Sequence, residues 1–393
     1  MLQLLLNAEV FAPEALGLQN LLIAGGEIVW VGKDRPAMPK ALGVEEVDLQ
    51  GARLVPGFVD GHAHVTGGGG EAGPETRVPS VPISRFTSAG VTTVVGLLGT
   101  DDVTRSTADL LAATRGLVAE GMTAYCYTGG YHLPPTTLTG SVRADIVHVD
   151  RIIGVGELAI SDHRSSQPTL DELLRVASDA HVAGLMTGKA GICHLHMGDG
   201  ERGLDLVRQA LNTSELPARV FQPTHINRRK ALFEEGCELV QRGCAIDLTA
   251  FPVEEGEDAF SAEDGLERYL VAGLPKELIT ISSDGGGCLP TFDGDGRVIK
   301  MEVGQPATMA ASLAELLRRG HDLSSILPAF TTNAADLLRL NGKGRIRAGG
   351  HADLVVLGPD GLPQDVMLSG VWHKRGGETV VFGTFEKSGA MNV

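Results

Sequence analysis

The sequence predicts an α/β fold: a (β/α)8 TIM-type barrel with a small β-sandwich domain built from both chain ends. Three observations carry that expectation. Between residues 54 and 344, eight short apolar runs alternate with stretches of helical periodicity. Polar side chains suited to metal binding follow nearly every run, where barrels place their chemistry. The two ends read instead as Gly-punctuated strands, so residues 1–56 and 345–393 are expected to form the sandwich and 57–344 the barrel. An open doubly wound sheet explains neither the count of eight nor the polar strand ends.

Taken in order, LLLNAEV, NLLIAGGEIVWVG and GARLVPG supply the first terminal strands. Barrel strands are predicted over 54–59, 91–98, 123–128, 152–158, 191–197, 219–226, 244–251 and 278–283, from their β-branched and apolar content. Helices are predicted over 103–120, 170–185, 201–211, 229–242, 262–272, 307–319 and 323–340. The closing stretches GRIRAGGHADLVVLG, PQDVMLSGVWHKRGG and ETVVFG return to strand patterning.

Composition narrows the function classes. The chain has 393 residues, 43% hydrophobic and 21% charged, an ordinary globular balance. A net charge of -16 argues against nucleic acid or an anionic membrane as partner. No apolar run is long enough to span a bilayer. The start MLQLLLNAEVFAPEA lacks a basic leader, and the five cysteines form no CxxC, so a reducing cytoplasm is the expected setting.

The chemistry concentrates first in GFVDGHAHVTGGGGEAG, residues 57–73. His62 and His64 are two apart at a strand end, so both face one way and can share a divalent ion. Four further pieces follow in order: Glu157 after the fourth strand, His194 and His196 after the fifth, His225 after the sixth, and Asp284 after the eighth. Two ions fit this set, His62 and His64 holding one with Asp284, His196 and His225 the other. Paired cations repel and need a bridging anion. Glu157 is the carboxylate at the right strand end. His194 is assigned a supporting place deeper in the barrel, and His132 and His163 a place beside substrate or behind the metal ligands rather than on a metal.

These motifs resemble the amidohydrolase superfamily and, within it, the isoaspartyl (β-aspartyl) dipeptidases. PGFVDGHAH and GRIRAGGHADLVVL carry the broader resemblance; HVTGGGGEAGPETR, LLGTDDVTR, YTGGYHLPP, AISDHRSS, HMGDG, PTHINR and SSDGGG carry the narrower one, across the whole chain. The resemblance implies His62 and His64 on one Zn2+ and His196 and His225 on a second, with Asp284 on the first as general acid/base. It implies Glu71 on the substrate ammonium, Tyr131 polarising the scissile carbonyl, Arg164 and Arg228 on carboxylates, and Thr100 beside the amino end. The implied reaction is hydrolysis of the isopeptide bond of a β-aspartyl dipeptide by a hydroxide held between the ions, in a homo-oligomer such as an octamer.

Two departures stand out. The family usually bridges its metals with a carboxylated lysine, but GVGELAISDHR contains none, so the bridge falls to Glu157. Cys288 stands where the family has a serine that contacts the substrate carboxylate, and a thiol is the weaker donor. Two alternatives remain. One is another amidohydrolase, such as a dihydroorotase, hydantoinase or N-acyl-amino-acid deacylase. The other is a metal-free scaffold subunit.

Overall fold

The computed structural model describes residues 2–292 and 297–386. Five strands open the chain: β1 (Leu2–Phe11), β2 (Ala15–Ala24), β3 (Glu27–Gly32), β4 (Glu45–Asp48) and β5 (Arg53–Pro56). Eight parallel strands follow: β6 (Phe58–Ala63), β7 (Val91–Gly96), β8 (Thr123–Thr128), β9 (Ile152–Ser161), β10 (Ile192–Met197), β11 (Phe221–Thr224), β12 (Ile246–Thr249) and β13 (Ile279–Ser282). Helices alternate with them: α1 (Ile83–Ser88), α2 (Thr107–Ala119), α3 (Val142–His148), α4 (Leu170–Thr187), α5 (Asp205–Thr213), α6 (Lys230–Val240), α7 (Ala262–Val271) and α8 (Ala307–Arg318). A hairpin, β14 (Cys288–Phe292) and β15 (Val298–Val303), lies between β13 and α8, and α9 (Leu323–Ile326) and α10 (Thr332–Leu337) follow it. The chain closes through β16 (Gly350–His351), β17 (Leu354–Leu357), β18 (Pro363–Leu368), β19 (Val371–Arg375) and β20 (Glu378–Thr379).

Strands β6 to β11 form one parallel sheet in chain order, and β12 pairs β13 in parallel. The parallel strands curl round so that the segment after β13 meets the end of β6. Asp284 N donates to His62 O at 3.1 Å, His64 N donates to Gly285 O at 2.8 Å, and Ala63 bridges Gly285. At the other seam, Thr224 Oγ1 donates to Asp247 Oδ2 at 2.7 Å. Strands β7 and β9 are buried along their whole length because helices cover the outside, as parallel sheets require. Ser106, Ser141 and Ser261 cap α2, α3 and α7, and Thr169 with Glu172 makes a reciprocal capping box on α4. No described helix is long and apolar enough to cross a membrane.

The chain ends build one continuous sheet with the path β16-β3-β2-β1-β5-β17-β18-β19-β20, β4 pairing β1. A β-sandwich built from both chain ends was expected; the described terminal strands are linked in one ten-stranded sheet. Gln3 joins the ends, donating to Gly370 O at 2.7 Å and accepting from Trp372 Nε1 at 3.0 Å. Buried Lys343 pairs with Asp353 and donates to Thr123 Oγ1 at 2.6 Å, tying the returning segment to β8. Residues 387–393 of the expected C-terminal segment lie outside the described residues.

Two further sequence expectations are corrected. The run 54–59 is two strands, since Gly57 N leaves the ladder to bond Asp353 O at 2.9 Å. The helix expected over 323–340 breaks into α9, a 3-10 turn at Leu327–Phe330 and α10, because Pro328 lacks the N–H a continuous helix needs. The hairpin β14–β15 was not expected at all.

Candidate active site

The predicted site residues are delivered by the C-terminal ends of the parallel strands. His62 lies on β6 and His64 just past it, Glu157 on β9, His196 on β10, His225 after β11 and Asp284 after β13. All six are buried. His225 and Asp284 sit at φ 60° and 50°, in the left-handed region that non-glycine residues seldom occupy. That turn swings each side chain off its strand and into the cluster. Gly287 makes room, since a Cβ there would stand 2.0 Å from Asp284 Oδ1.

Glu157 occupies the centre. Its Oε1 lies 3.4 Å from His64 Nε2, while its Oε2 lies 3.1 Å from His196 Nδ1, 3.4 Å from His225 Nε2 and 3.6 Å from His62 Nε2. Asp284 Oδ1 lies 3.4 Å from His62 Nε2 and 3.2 Å from His64 Nε2. Two ligands each 2.0–2.1 Å from one tetrahedral cation stand about 3.4 Å apart. The separations from His62, His64 and His225 therefore suit atoms that share an ion, whereas His196 stands within hydrogen-bond distance of Glu157 through Nδ1 and of Asp162 through Nε2 and joins neither ligand group below. His62 Nε2, Glu157 Oε1 and Asp284 Oδ1 are buried with no hydrogen-bond partner, which a native interior rarely tolerates. Two overlapping ligand groups result: His62, His64 and Asp284, and His62, Glu157 and His225. These residues fit a divalent cation.

The electrostatics agree. Burial opposes ionisation of Asp284 and Glu157, but the neighbouring histidines outweigh it and hold both carboxyls below their usual range. Burial likewise opposes a charge on His64, yet its contacts with Asp284 and Glu157 raise its pKa to about 10. The two carboxylates thus demand positive charge at this place, and a metal cation answers the same demand. His194, buried beside His62, is pushed down to about 3 and is neutral.

One cavity is lined by His64, Gly69, Glu71, Gly99, Thr100, Tyr131, Glu157, Arg164, His196, Arg228, Asp284 and Cys288. All the predicted substrate contacts are among them. Tyr131 Oη lies 2.8 Å from His196 Nδ1, and burial, reinforced by the Glu157 charge, keeps its phenol protonated well above the ordinary range. Glu71 Oε1 accepts from Arg164 Nη1 at 3.1 Å, while Glu71 Oε2 is buried without a partner. Arg164 is held by Asp162 through Nε at 2.9 Å and Nη2 at 2.7 Å, so its fork is largely engaged. Arg228 has no carboxylate partner among the described residues. Asn227 pins the turn that presents it, donating to Thr249 O and Phe260 O and accepting from Thr249 N. Burial, with the Glu71 and Asp284 charges, pushes the Cys288 thiol up to about 12, so it is neutral.

Sequence reasoning missed three contributors. Asp162 accepts from His196 Nε2 at 3.0 Å while gripping Arg164, linking the histidine cluster to a guanidinium. Arg105 is buried and donates to the carbonyls of Gly68, Gly69 and Val78, clamping the glycine loop that carries Glu71. Gln222 contacts His194 from below. The DHR and TDDVTR strings signalled the first two. His132 pairs with Asp102 and reaches Arg164 O at 3.1 Å, and His163 pairs with Asp199 at the rim.

A model of the amidohydrolase family matches residues 53–373. An imidazolonepropionase of Ruegeria sp. (strain TM1040) is 25% identical over 384 residues, 89% of this chain and 90% of that protein. An allantoinase of Streptomyces avermitilis is 26% identical over 425 residues, 90% and 85%. A solved β-aspartyl dipeptidase of Fervidobacterium islandicum AW-1, in complex with a β-Asp-Leu dipeptide, is 40% identical with a TM-score of 0.90, covering 96% of this chain and 98% of that one. A dihydropyrimidinase of Brevibacillus agri NCHU1002 shares the fold at 16% identity and a TM-score of 0.69, covering 98% and 97%.

Proposed function

This chain belongs to the amidohydrolase family, and on that premise we propose that it is a metal-dependent hydrolase of β-aspartyl dipeptides. The parallel strands read as a (β/α)8 barrel, residues 57–344, with the terminal sheet as a second domain. Two divalent ions, Zn2+ being the expected pair, would be held by His62, His64 and Asp284 on one side and His196 and His225 on the other, with Glu157 between them. Bound there, such ions supply Lewis acidity and lower the pKa of water.

The observation that carries the substrate assignment is the charge pattern of one cavity. Beside the histidine cluster it presents a carboxylate oxygen, Glu71 Oε2, and a guanidinium, Arg228, that among the described residues have no hydrogen-bond partner and no carboxylate partner respectively. A β-aspartyl dipeptide carries an ammonium and two carboxylates around its isopeptide bond. Glu71 answers the ammonium, with Thr100 beside it. Arg228 takes a carboxylate in a bidentate fork. Arg164, steadied by Asp162, faces the aspartyl carboxylate with Cys288 as a weak neighbour. Asp284 accepts a proton at its carboxylate and returns it to the leaving amine. Tyr131, protonated at working pH, donates to the oxygen on which charge develops. The relative 40% identical to this chain, solved with β-Asp-Leu, supports the same reading.

The test is a substrate panel with the metal-loaded protein: β-Asp-Leu, α-Asp-Leu, dihydroorotate, N-acetyl amino acids, allantoin and imidazolone propionate. Turnover of β-Asp-Leu alone is expected. Turnover of a cyclic amide or an N-acyl amino acid in its place would replace this assignment. Tyr131→Phe should lower kcat by about 10²-fold or more with little change in KM, the usual loss of one oxyanion donor. An unaltered kcat would remove Tyr131 from that role.

A further inference from the structure

Beneath the histidine cluster, a file of buried polar side chains runs from β13 through β11 and β10 to β6. We propose that Gln222 is a positioning residue that sets the tautomer of the metal ligand His62 by acting through His194. The inference rests on the metal-binding part of the reading above and on no particular substrate.

The direction of each hydrogen bond can be followed from one end. Asp247 is buried and three hydroxyls converge on it: Thr280 Oγ1 at 2.5 Å on Oδ1, and Thr224 Oγ1 at 2.7 Å and Ser282 Oγ at 2.6 Å on Oδ2. A carboxylate only accepts, so the Thr280 proton points at Asp247. Thr280 Oγ1 is then an acceptor, and Gln222 Nε2 donates to it at 3.3 Å. This turns the other end of the amide, Oε1, toward His194 Nδ1 at 3.0 Å. An amide oxygen cannot donate, so His194 carries its proton on Nδ1. The partners of His194 are Gln222, His62 and Tyr127, none of them a carboxylate, and a buried ring without an anionic partner keeps a single N–H, so its Nε2 is a lone pair. His62 Nδ1 lies 2.8 Å from it and must be the donor. His62 is thus left with a lone pair on Nε2, the atom that points at Glu157 and Asp284 without a hydrogen-bond partner. A ligand histidine has to present a lone pair, and the partner of its other nitrogen decides whether it does. Tyr127 stacks on His194 with ring centroids 5.1 Å apart and planes at 19°, which keeps the relaying ring from turning.

The alternative arrangement inverts the amide. Gln222 would then donate to His194, and Asp247 would have to be protonated to donate to Thr280. The two arrangements differ in what replaces Gln222 harmlessly. Glutamate keeps an acceptor facing His194; methionine, of similar length, keeps neither acceptor nor donor.

The experiment measures the Zn2+ affinity of the full chain by competition with a chromophoric chelator, for wild type, Gln222→Met, Gln222→Glu and Thr280→Val, with circular dichroism confirming the fold. Gln222→Met is expected to weaken Zn2+ binding by about 10–100-fold, the usual effect of removing such a supporting partner. Thr280→Val should weaken it in the same direction by freeing the amide, and Gln222→Glu should bind as wild type does. Wild-type affinity in both Gln222→Met and Thr280→Val would overturn the inference, as would Gln222→Glu binding as weakly as Gln222→Met. A wild-type protein that takes up no Zn2+ would overturn the metal reading itself and this inference with it; loss of dipeptidase activity alone would leave the relay standing.

Discussion

Glu157→Gln should leave a folded protein that retains less than its full complement of metal and hydrolyses β-Asp-Leu about 10²–10⁴-fold more slowly. The size follows from removing one partner of a buried charge set, which costs about 3–5 kcal/mol, with each 1.36 kcal/mol worth tenfold in rate. Glutamine fills nearly the same volume but replaces an anionic oxygen with an N–H donor. Oε1 faces His64, and Oε2 faces His196, His225 and His62, so either amide orientation turns a donor toward atoms arranged to share a cation. Metal content by elemental analysis and kcat/KM by a ninhydrin or coupled assay measure the two effects. Full metal occupancy with wild-type kcat/KM would show that the carboxylate does not bind between two ions. It would also return the chain to the scaffold alternative or to a site with one ion.

Arg228→Ala should lower kcat/KM for β-Asp-Leu by about 30- to 5000-fold, the range given by truncating one member of a buried charge pair at about 2–5 kcal/mol, while metal content stays as in wild type. Lysine at this position should recover little, since an ammonium cannot present the planar fork that matches a carboxylate. A second substrate separates a binding role from a structural one. The dipeptide amidated at its C-terminus lacks one carboxylate, so the penalty of Arg228→Ala should shrink on it if Arg228 grips that group. An equal penalty on both substrates would move Arg228 to the aspartyl end or out of the site. Loss of metal in the variant would mean that its effect passes through His225, three residues back, whose protonation burial and the Arg228 charge both oppose.

Much of the architecture is legible in the sequence. Six of the eight parallel strands fall within the predicted runs, while β6 and β9 run past theirs to Ala63 and Ser161; a strand covered on both faces is buried throughout, and a run rich in Val and Ile between glycines has few other uses. The divided run at 54–59 was not legible. Both halves are apolar, and what separates them is a hydrogen bond from Gly57 to Asp353, almost 300 positions away in the chain. The break in the last long helix could have been anticipated from Pro328. The hairpin Cys288–Phe292 with Val298–Val303 has a largely exposed second strand and little alternation to betray it.

That His62, His64, Glu157, His196, His225 and Asp284 would gather in one place could be expected from sequence because each lies at the end of an apolar run, and the ends of parallel strands meet at one rim. Which oxygen of Glu157 faces which imidazole could not be, nor could Asp162 joining His196 to Arg164, nor the file from Asp247 to His62. Those relations depend on side-chain direction and on which strands stand side by side. Spacing along a chain prescribes which face a residue occupies, since alternation is a local property of an extended backbone. Distances of 3 Å between residues a hundred positions apart exist only after the parallel strands have curled round and the segment after β13 has met the end of β6.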